Sequence, residues 1–490
     1  MYSTFQAFRP HFDALSYVAY FKIVPRPSSE LKLALHNTYR AVVWVLVIIY
    51  NLQHVIRVIQ ARHSMELIVN TLFVLLTTLN TLVKQVAFNA RIDRMDRIIA
   101  TIQGPLFAAR NAFDEEVMKG NALEMSRLLQ LYHGAIYTCG VMFTVFPLVN
   151  KLLGDDEQLT GYFPFDTTGW LGFGIALTFN SILITFQAYG NVTMDCTIVA
   201  FFAQAKIQLQ ILRNSLEHLV GPVAAEDGKI CVQTKGYKDI EDPAFGLLLK
   251  KRLTRCVEHY KLIVWYTKEV EAVFGEAMVV QFFVMAWVIC MTVYKIAGLS
   301  LLSAEFVSML VYLGCMLAQL FIYCFYGTQV RYESEFINNS VYRSDWLSLS
   351  PRFRALLLVL LVRGTRPLAP RTAYIIPMSL ETYISVTLLS VRRSSLTPQL
   401  LVLLVRGTRP LAPRTAYIVP MSLKTYIAVT LLSVRRSSLT PATDADGGGG
   451  GGGGHAALGS AHRLHRPHVA RNLHRGNTAL SAAKLSDASY

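Results

Sequence analysis

Uninterrupted apolar runs near 20 residues long constrain this chain more than any other feature. A helix rises 1.5 Å per residue, so about 20 residues are what a hydrocarbon core roughly 30 Å thick demands. Six such runs stand out, at residues 41–59, 65–88, 131–149, 170–200, 273–297 and 306–326. A seventh, 373–391, is shorter and is interrupted by Pro377. Of 490 residues, 53% are hydrophobic and only 16% charged, too little charge to cover the surface of soluble domains of this combined size. The expected fold is an all-α membrane protein with seven transmembrane helices. Residues 1–32 show no charged n-region, apolar h-region and small-residue cleavage site in succession, so the first span is expected to act as its own insertion signal.

Orientation follows from where Lys and Arg accumulate, because the cytoplasmic side of a membrane protein collects them. With the N-terminus cytoplasmic, that side gathers five in the N-terminal segment, seven from Lys84 to Arg127, eleven from Lys206 to Lys268 and seven from Arg331 to Arg371. The opposite side has four: Arg57, Arg62, Lys151 and Lys295. Its largest loop, 151–169, carries Asp155, Asp156, Glu157 and Asp166 instead. A G-protein-coupled receptor, whose N-terminus lies outside, would put the basic loops on the wrong face. The net charge of +15 is therefore read as loop asymmetry, with no nucleic-acid partner expected.

The chemistry-bearing residues argue against an enzyme. There is no HExxH, no Gly-x-Ser-x-Gly, no phosphate-binding glycine loop and no pair of carboxylates on one face. No cofactor or metal is expected. The seven cysteines show no CxxC spacing and most lie inside apolar runs, so they read as buried structural thiols rather than a metal site or disulfide framework. Asp195, near the inner end of span four, reads either as part of a structural ion pair or as a group in water just below the bilayer. Asn191-Val192-Thr193 and Asn338-Asn339-Ser340 match the glycosylation pattern but fall in the membrane or on the cytoplasmic side, where they should stay unmodified.

Any small apolar molecule held between the spans, having few hydrogen-bonding groups, would depend on buried area and aromatic contact. The outer halves of the spans supply Phe143, Phe146, Phe173, Phe179, Trp287 and Tyr294. On span three, His133 and Tyr137 lie four residues apart and share a helix face, and polar groups in hydrocarbon tend to point to partners or a cavity. The candidate ligand-binding set is Tyr137, Phe143, Phe146, Phe173, Phe179 and Trp287. Each could equally face lipid or pack against a neighbouring helix.

After span six comes Tyr326-Gly327-Thr328-Gln329-Val330-Arg331-Tyr332-Glu333-Ser334, followed by Tyr342 and Asp345-Trp346-Leu347. This resembles the signature stretch of insect odorant receptors, in which a Tyr-Gly pair closes span six and a Glu-Ser pair and a Trp follow. Tyr162-Phe163-Pro164-Phe165-Asp166 is similar to the family's second extracellular loop, and Cys256-Val257-Glu258-His259-Tyr260 with Gln281-Phe282 to its span-five region. Arg366-Pro367 and Ile376-Pro377-Met378-Ser379-Leu380-Glu381-Thr382-Tyr383 resemble the entry into span seven, most closely in moths. The resemblance covers about residues 1–386. It implies an odorant-gated, non-selective cation channel in the plasma membrane of olfactory neurons, with a small volatile apolar ligand. A divergent tuning subunit of this kind works with an obligate olfactory co-receptor subunit, in a tetramer around a central pore.

On that resemblance the chain divides into a cytoplasmic segment 1–40, spans one to six over 41–327 with the ligand pocket in their outer half, a cytoplasmic helical anchor segment 328–372 and a pore helix 373–391. Tyr326, Gly327, Glu333 and Trp346 are the candidate subunit anchors, and Tyr383, Val386 and Leu389, on roughly one helix face, the candidate pore residues. Two other families share parts of this pattern. A gustatory-type receptor should end in Thr-Tyr-x-x-x-x-x-Gln-Phe, which is absent. A transporter should show repeats between its halves, and none appears upstream of Leu357.

The C-terminus departs from the family. Residues 357–398 recur as 400–441 with three differences: Ile376 against Val419, Glu381 against Lys424 and Ser385 against Ala428. So little drift reads as a recent duplication or a gene-model artefact, since structural repeats diverge further. Arg392, Arg393 and Pro398 stand where the family continues an apolar-aromatic helix. A tail over 442–490 follows, with eight glycines at Gly447–Gly454 and five histidines after them, expected to be a low-complexity disordered segment. The topology is open to a direct check: an epitope inserted after Met1 should be reached by antibody only in permeabilised cells, and staining of intact cells would reverse the assignment.

Overall fold

The computed structural model describes residues 4–22, 30–61, 65–154, 159–220, 240, 243–299, 304–372 and 376–393. The chain divides into two units, Met1–Thr440 and Pro441–Tyr490. The expected duplicate (400–441) and tail (442–490) lie outside the described residues, as do Asp155, Asp156, Glu157 and the first residues of the expected span seven. After a 3-10 turn at Thr4–Ala7 come α1 (Arg9–Tyr17), α2 (Glu30–Gln60), α3 (Met65–Ala90), α4 (Ile92–Ile102), α5 (Ala112–Leu152) and α6 (Trp170–Glu217). They are followed by α7 (Pro243–Ala297), α8 (Ala304–Glu335), α9 (Ile337–Arg343) and α10 (Pro351–Gly364).

Among the described residues six helices are long and apolar enough to cross a membrane: α2, α3, α5, α6, α7 and α8. The six long apolar runs fall within these helices. Five of the helices overshoot their apolar runs: α2 starts at Glu30, α5 at Ala112 and α7 at Pro243, while α6 continues to Glu217 and α8 to Glu335. Successive spans alternate in direction, so all five overshoots lie on one side of the hydrocarbon layer. The 55 residues of α7 make a rod of about 80 Å, far beyond the roughly 30 Å of lipid tails. The helical platform outside the bilayer is therefore built from the spans themselves, and not only from the segment after span six.

α6 sits at the centre of that platform. Every residue from Gly190 to Ala205 is buried, which a helix achieves only when neighbours surround it on all sides. α1 is one of those neighbours. Phe8 stacks on Phe201 at 5.1 Å between centroids, Phe201 on Phe274 of α7 at 5.9 Å, and Phe274 lies 4.7 Å from Phe88 of α3. This aromatic ladder ties the N-terminal segment to three spans. The approach is close enough that a Cβ on Gly190 would collide with the ring of Tyr20, so the glycine is what lets Tyr20 sink out of solvent. The amphipathic α4 buries Met95, Ile98, Ile99 and Ile102 at helical spacing and packs along α7.

One level further into the bundle lies a polar centre. Lys84 of α3 and Asp195 of α6 form an ion pair with 1% exposure on each side. The Lys84 ammonium also donates to Asn191 Oδ1 at 2.8 Å. Asp195 accepts from the Tyr323 hydroxyl at 2.5 Å and from the Gln319 amide, both on α8. Of the two sequence readings of Asp195, the buried structural ion pair is the one observed. Lys84, counted among the loop charges from the sequence, is instead inside the protein.

The last described helix differs from the expected span. Two short antiparallel strands, Arg371–Thr372 and Ile376–Pro377, pair with Arg371 opposite Pro377, and the Met378 N–H donates to the Pro370 carbonyl at 3.0 Å. Only then does α11 (Leu380–Arg393) begin. Pro377 thus lies ahead of the helix rather than within it, as a residue with no N–H to give should. With 14 residues, α11 is about 21 Å long, shorter than the hydrocarbon core.

The Lys84–Asp195 centre yields a stability prediction. Removing one partner strands the other's charge in a dry interior, a loss of about 3–5 kcal/mol, whereas replacing both by apolar residues is close to neutral. Lys84→Met should therefore lower the thermal midpoint of the detergent-purified protein sharply, and Lys84→Met with Asp195→Leu should recover most of it.

Candidate functional site

The outer third of the bundle carries an apolar groove between α2, α6 and the loop that joins α5 to α6. It encloses about 360 Å³ and is lined by Ile49, Leu52 and Ile56 of α2, by Tyr162, Phe163 and Phe165 of the loop, and by Ile175 and Phe179 of α6. The loop folds inward because its aromatics have apolar partners: Phe163 lies 5.6 Å from Phe165 and edge-on to Phe179 at 6.5 Å. Pro164, which fixes its own φ, sits between the two rings. Ile49, Leu52 and Ile175 are each about half exposed, so the groove opens toward the lipid side. Just below it, Tyr50 donates to Asn180 Oδ1 at 2.9 Å and lies tilted against the buried His54, with 4.4 Å between ring centroids.

The six candidate ligand residues do not converge on one point. Phe179 borders the groove and packs with Tyr50, Val74 and Leu183. Phe173 is fully buried nearby with Leu159, Ala176 and Leu177, and the Lys151 ammonium lies 5.7 Å above its ring. Trp287 packs beside Ala61, Ile68, Met291 and Phe73. Phe73 in turn contacts Tyr312 of α8 at 4.6 Å. Phe73 and Val74 are consecutive on α3, so that helix separates the Phe179 cluster from the Trp287 cluster. Phe143 and Phe146 are half-buried on α5.

Tyr137 lies elsewhere: it is 56% exposed and its ring is 6.0 Å from Tyr189. Tyr189 also stacks on His133 at 4.0 Å and meets Tyr17, the last residue of α1, at 6.3 Å. His133 shares a hydrogen bond of 2.9 Å with Thr193. This layer belongs to the α1 end of the bundle, not to its outer third. Sequence reasoning flagged the loop aromatics Tyr162, Phe163 and Phe165 only as part of a motif. A run of three aromatics and a proline in a loop is itself a signal, because such residues leave water only if the loop folds onto an apolar surface.

The residues after span six make their contacts within the chain. The Tyr326 hydroxyl donates to Glu124 of α5 at 2.5 Å. Glu333, 6% exposed, pairs with the Arg213 guanidinium of α6 and accepts from the Gln210 amide at 2.7 Å. Arg213 also stacks over Phe336 at 5.4 Å. A Cβ on Gly327 would run into the backbone oxygen of Met378, so the absence of a side chain there lets the strand ahead of α11 lie directly on α8. Trp346 is half-buried, 6.3 Å from the exposed Tyr342. On α11, Tyr383 meets Phe321 of α8 edge-on at 5.6 Å. Val386 is buried among Phe282, Ile289 and Leu320, and Leu389 is half-buried. The exposed side of α11 carries Ile384 and Leu388.

Among the described residues no cluster of His, Cys, Asp and Glu is arranged to hold a metal. The site is an apolar recess in a helical membrane protein, of a size that a small apolar molecule would fill.

Three comparisons bear on what such a recess serves. The model of the 7tm odorant receptor family matches residues 64–391. Odorant receptor 46a (isoform A) of Drosophila melanogaster is 24% identical over 332 residues, 68% of this chain and 81% of that protein. Odorant receptor Or1 of Anopheles gambiae is 22% identical over 385 residues, 74% of this chain and 89% of that one. The structure of the olfactory receptor OR5 from Machilis hrabei in complex with eugenol superposes with a TM-score of 0.68 at 15% identity, covering 80% of this chain and 97% of that chain. The same fold, the family match across the six long spans but the first, and relatives that are themselves odorant receptors lead to one conclusion: this chain belongs to the insect 7tm odorant receptor family.

Proposed function

We propose that this odorant receptor is a tuning subunit of an odorant-gated, non-selective cation channel at the plasma membrane of olfactory neurons. The family match over residues 64–391 carries the reading. The chain works with a co-receptor subunit in a hetero-tetramer, as the family resemblance in its sequence implies.

Two surfaces support assembly. Beyond span six the inner platform presents Tyr342 and Leu347, on either side of the half-buried Trp346 in sequence, and Val359 and Val362 of α10 to its surroundings, each over half exposed. Apolar side chains gathered on a platform outside the lipid are suited to a neighbouring subunit. On α11, Val386 is held against α7 and α8, which leaves Ile384 and Leu388 as the side chains able to line a shared conduction path. In this reading Tyr383 and Val386 fix the pore helix to its own subunit. The N-terminus is cytoplasmic, so that the helical platform faces the cell interior.

The ligand is a small, mainly apolar volatile, of the class to which the eugenol bound by the Machilis receptor belongs. The groove in the outer third of the bundle receives it, with Phe179 and Phe163 as the aromatic contacts, while Trp287 stands in a separate cluster beyond α3. Affinity there comes from buried area and ring contact. Voltage-clamped oocytes test this. The chain alone should give no odorant-evoked current, and the chain with an insect olfactory co-receptor should respond to members of an aromatic odorant panel. A robust current without co-receptor would overturn the tuning-subunit reading. Phe179→Ala should raise the half-maximal odorant concentration about tenfold, equivalent to about 1.4 kcal/mol of lost contact, with surface expression unchanged.

A further inference from the structure

Cys139 of α5 and Cys315 of α8 face one another across the bundle with their sulfurs 4.0 Å apart. Both are free thiols and both are half-buried. They come from spans far apart in sequence, and they are the cysteines that the sequence reading treated as inert packing. We propose that Cys139 and Cys315 form a reversible oxidation site, at which a peroxide joins span three to span six by a disulfide.

The geometry is close to what the bond requires. A disulfide needs its sulfurs at about 2.05 Å, so they must approach by about 2 Å, within reach of side-chain rotation and a small helix adjustment. The neighbourhood has room for that adjustment. A Cβ built on Gly314, next to Cys315, meets nothing within 4 Å. On the other side Gly140, next to Cys139, is pinned: a Cβ there would come within 2.7 Å of the Thr185 hydroxyl. Span three is therefore held against α6 at this level, and span six is the partner with space to move.

The balance of the reaction is simple. One thiol sulfur attacks the O–O bond of hydrogen peroxide, giving a sulfenic acid and one water. The second sulfur displaces the hydroxyl of that sulfenic acid as a second water, and the S–S bond forms. Two thiols are oxidised by two electrons in total, and the peroxide is reduced to two waters. Dithiothreitol reverses the step by thiol–disulfide exchange.

The position of the pair gives the bond its consequence. Tyr326 and Glu124 already link α8 to α5 by a 2.5 Å hydrogen bond toward the platform end. Cys139 lies 15 residues beyond Glu124, and Cys315 lies 11 before Tyr326, so the second tie falls about 16–22 Å away along two antiparallel helices. A pair of helices tied at one level can open at the other; tied at both, it cannot. Cys315 also follows Tyr312 by one turn, and Tyr312 reaches through Phe73 toward the Trp287 cluster. Oxidation would thus hold closed the part of the bundle that must yield when an odorant enters. The disulfide stands on the sulfur geometry alone, while its effect on current rests on the channel reading above.

Two measurements test the proposal separately. Full-length chain in insect-cell membranes is treated with hydrogen peroxide, denatured, and labelled with a maleimide-polyethylene glycol. Wild type should lose the labelling of a pair of thiols and regain it after dithiothreitol, with a peptide cross-linking positions 139 and 315 found by mass spectrometry. Cys139→Ala and Cys315→Ala should each yield no such peptide. Full labelling of the oxidised wild type, or a cross-link that omits either residue, would overturn the site. In oocytes with co-receptor, peroxide should abolish the odorant-evoked current of wild type, dithiothreitol should restore it, and the double alanine variant should respond throughout. A cross-link that forms without changing the current would overturn the locking role. Loss of current in the double variant as well would place the sensitive thiols elsewhere and overturn it too. Absence of any current from reduced wild type would instead count against the channel reading, with the thiol chemistry judged on the labelling.

Discussion

A buried charge in lipid-facing architecture has few places to go, and that constraint organises the bundle. Lys84 and Asp195 are each tolerable inside only because the other is present and because Asn191, Gln319 and Tyr323 satisfy what the ion pair leaves over. Those residues come from α3, α6 and α8, so the requirement to keep every member partnered fixes three spans in rotation and depth at once. Apolar side chains alone specify such a register poorly, since one leucine substitutes for another against lipid. The complete burial of α6 around this point follows: a helix that carries an aspartate at that depth must be enclosed by protein.

The platform outside the lipid obeys a different rule. Its stability comes from apolar and aromatic packing in the presence of water, with the Phe8–Phe201–Phe274–Phe88 ladder running from the N-terminal helix through three long spans. Glu333 and Arg213 add a partly shielded ion pair at its far end. The two halves of the bundle therefore have different glue. In the outer half the helices touch lipid over much of their surface, and side chains such as Ile49, Leu52 and Ile175 remain open, which is the looser setting in which a small molecule can be received.

Much of the fold was legible because membrane helices announce themselves by length and composition: all six long apolar runs lie in long helices. The overshoots were not legible. Residues 112–130 and 243–272 mix charged and apolar positions as any soluble amphipathic helix does, and nothing local says that they continue a span. Pairings across the bundle were equally hidden. Asp195 was conspicuous as an acid at membrane depth, but Lys84 looked like an ordinary flanking charge until the third dimension supplied its partner. Of the site, the aromatic residues were visible as types and not as neighbours. Tyr137 shares a face with His133, as the helical period requires, yet that face turns to Tyr189 and Tyr17 rather than to the groove. The short last helix was displaced because Pro377 reads as an interruption within a span when it is the final residue of a strand pair ahead of one.

The contact between Gly327 and Met378 has a mechanical meaning. α8 is a single unbroken rod of 32 residues, about 48 Å long, with Tyr312 and Cys315 near one end and Gly327 near the other. Because no side chain intervenes at Gly327, the segment leading into α11 rests on the rod itself, with no compressible cushion between them. A tilt of the rod by a few degrees, imposed at the outer end, is delivered to the start of α11 as a displacement of the same order as the leverage allows, without slack. A side chain at position 327 would have to push that segment off the rod.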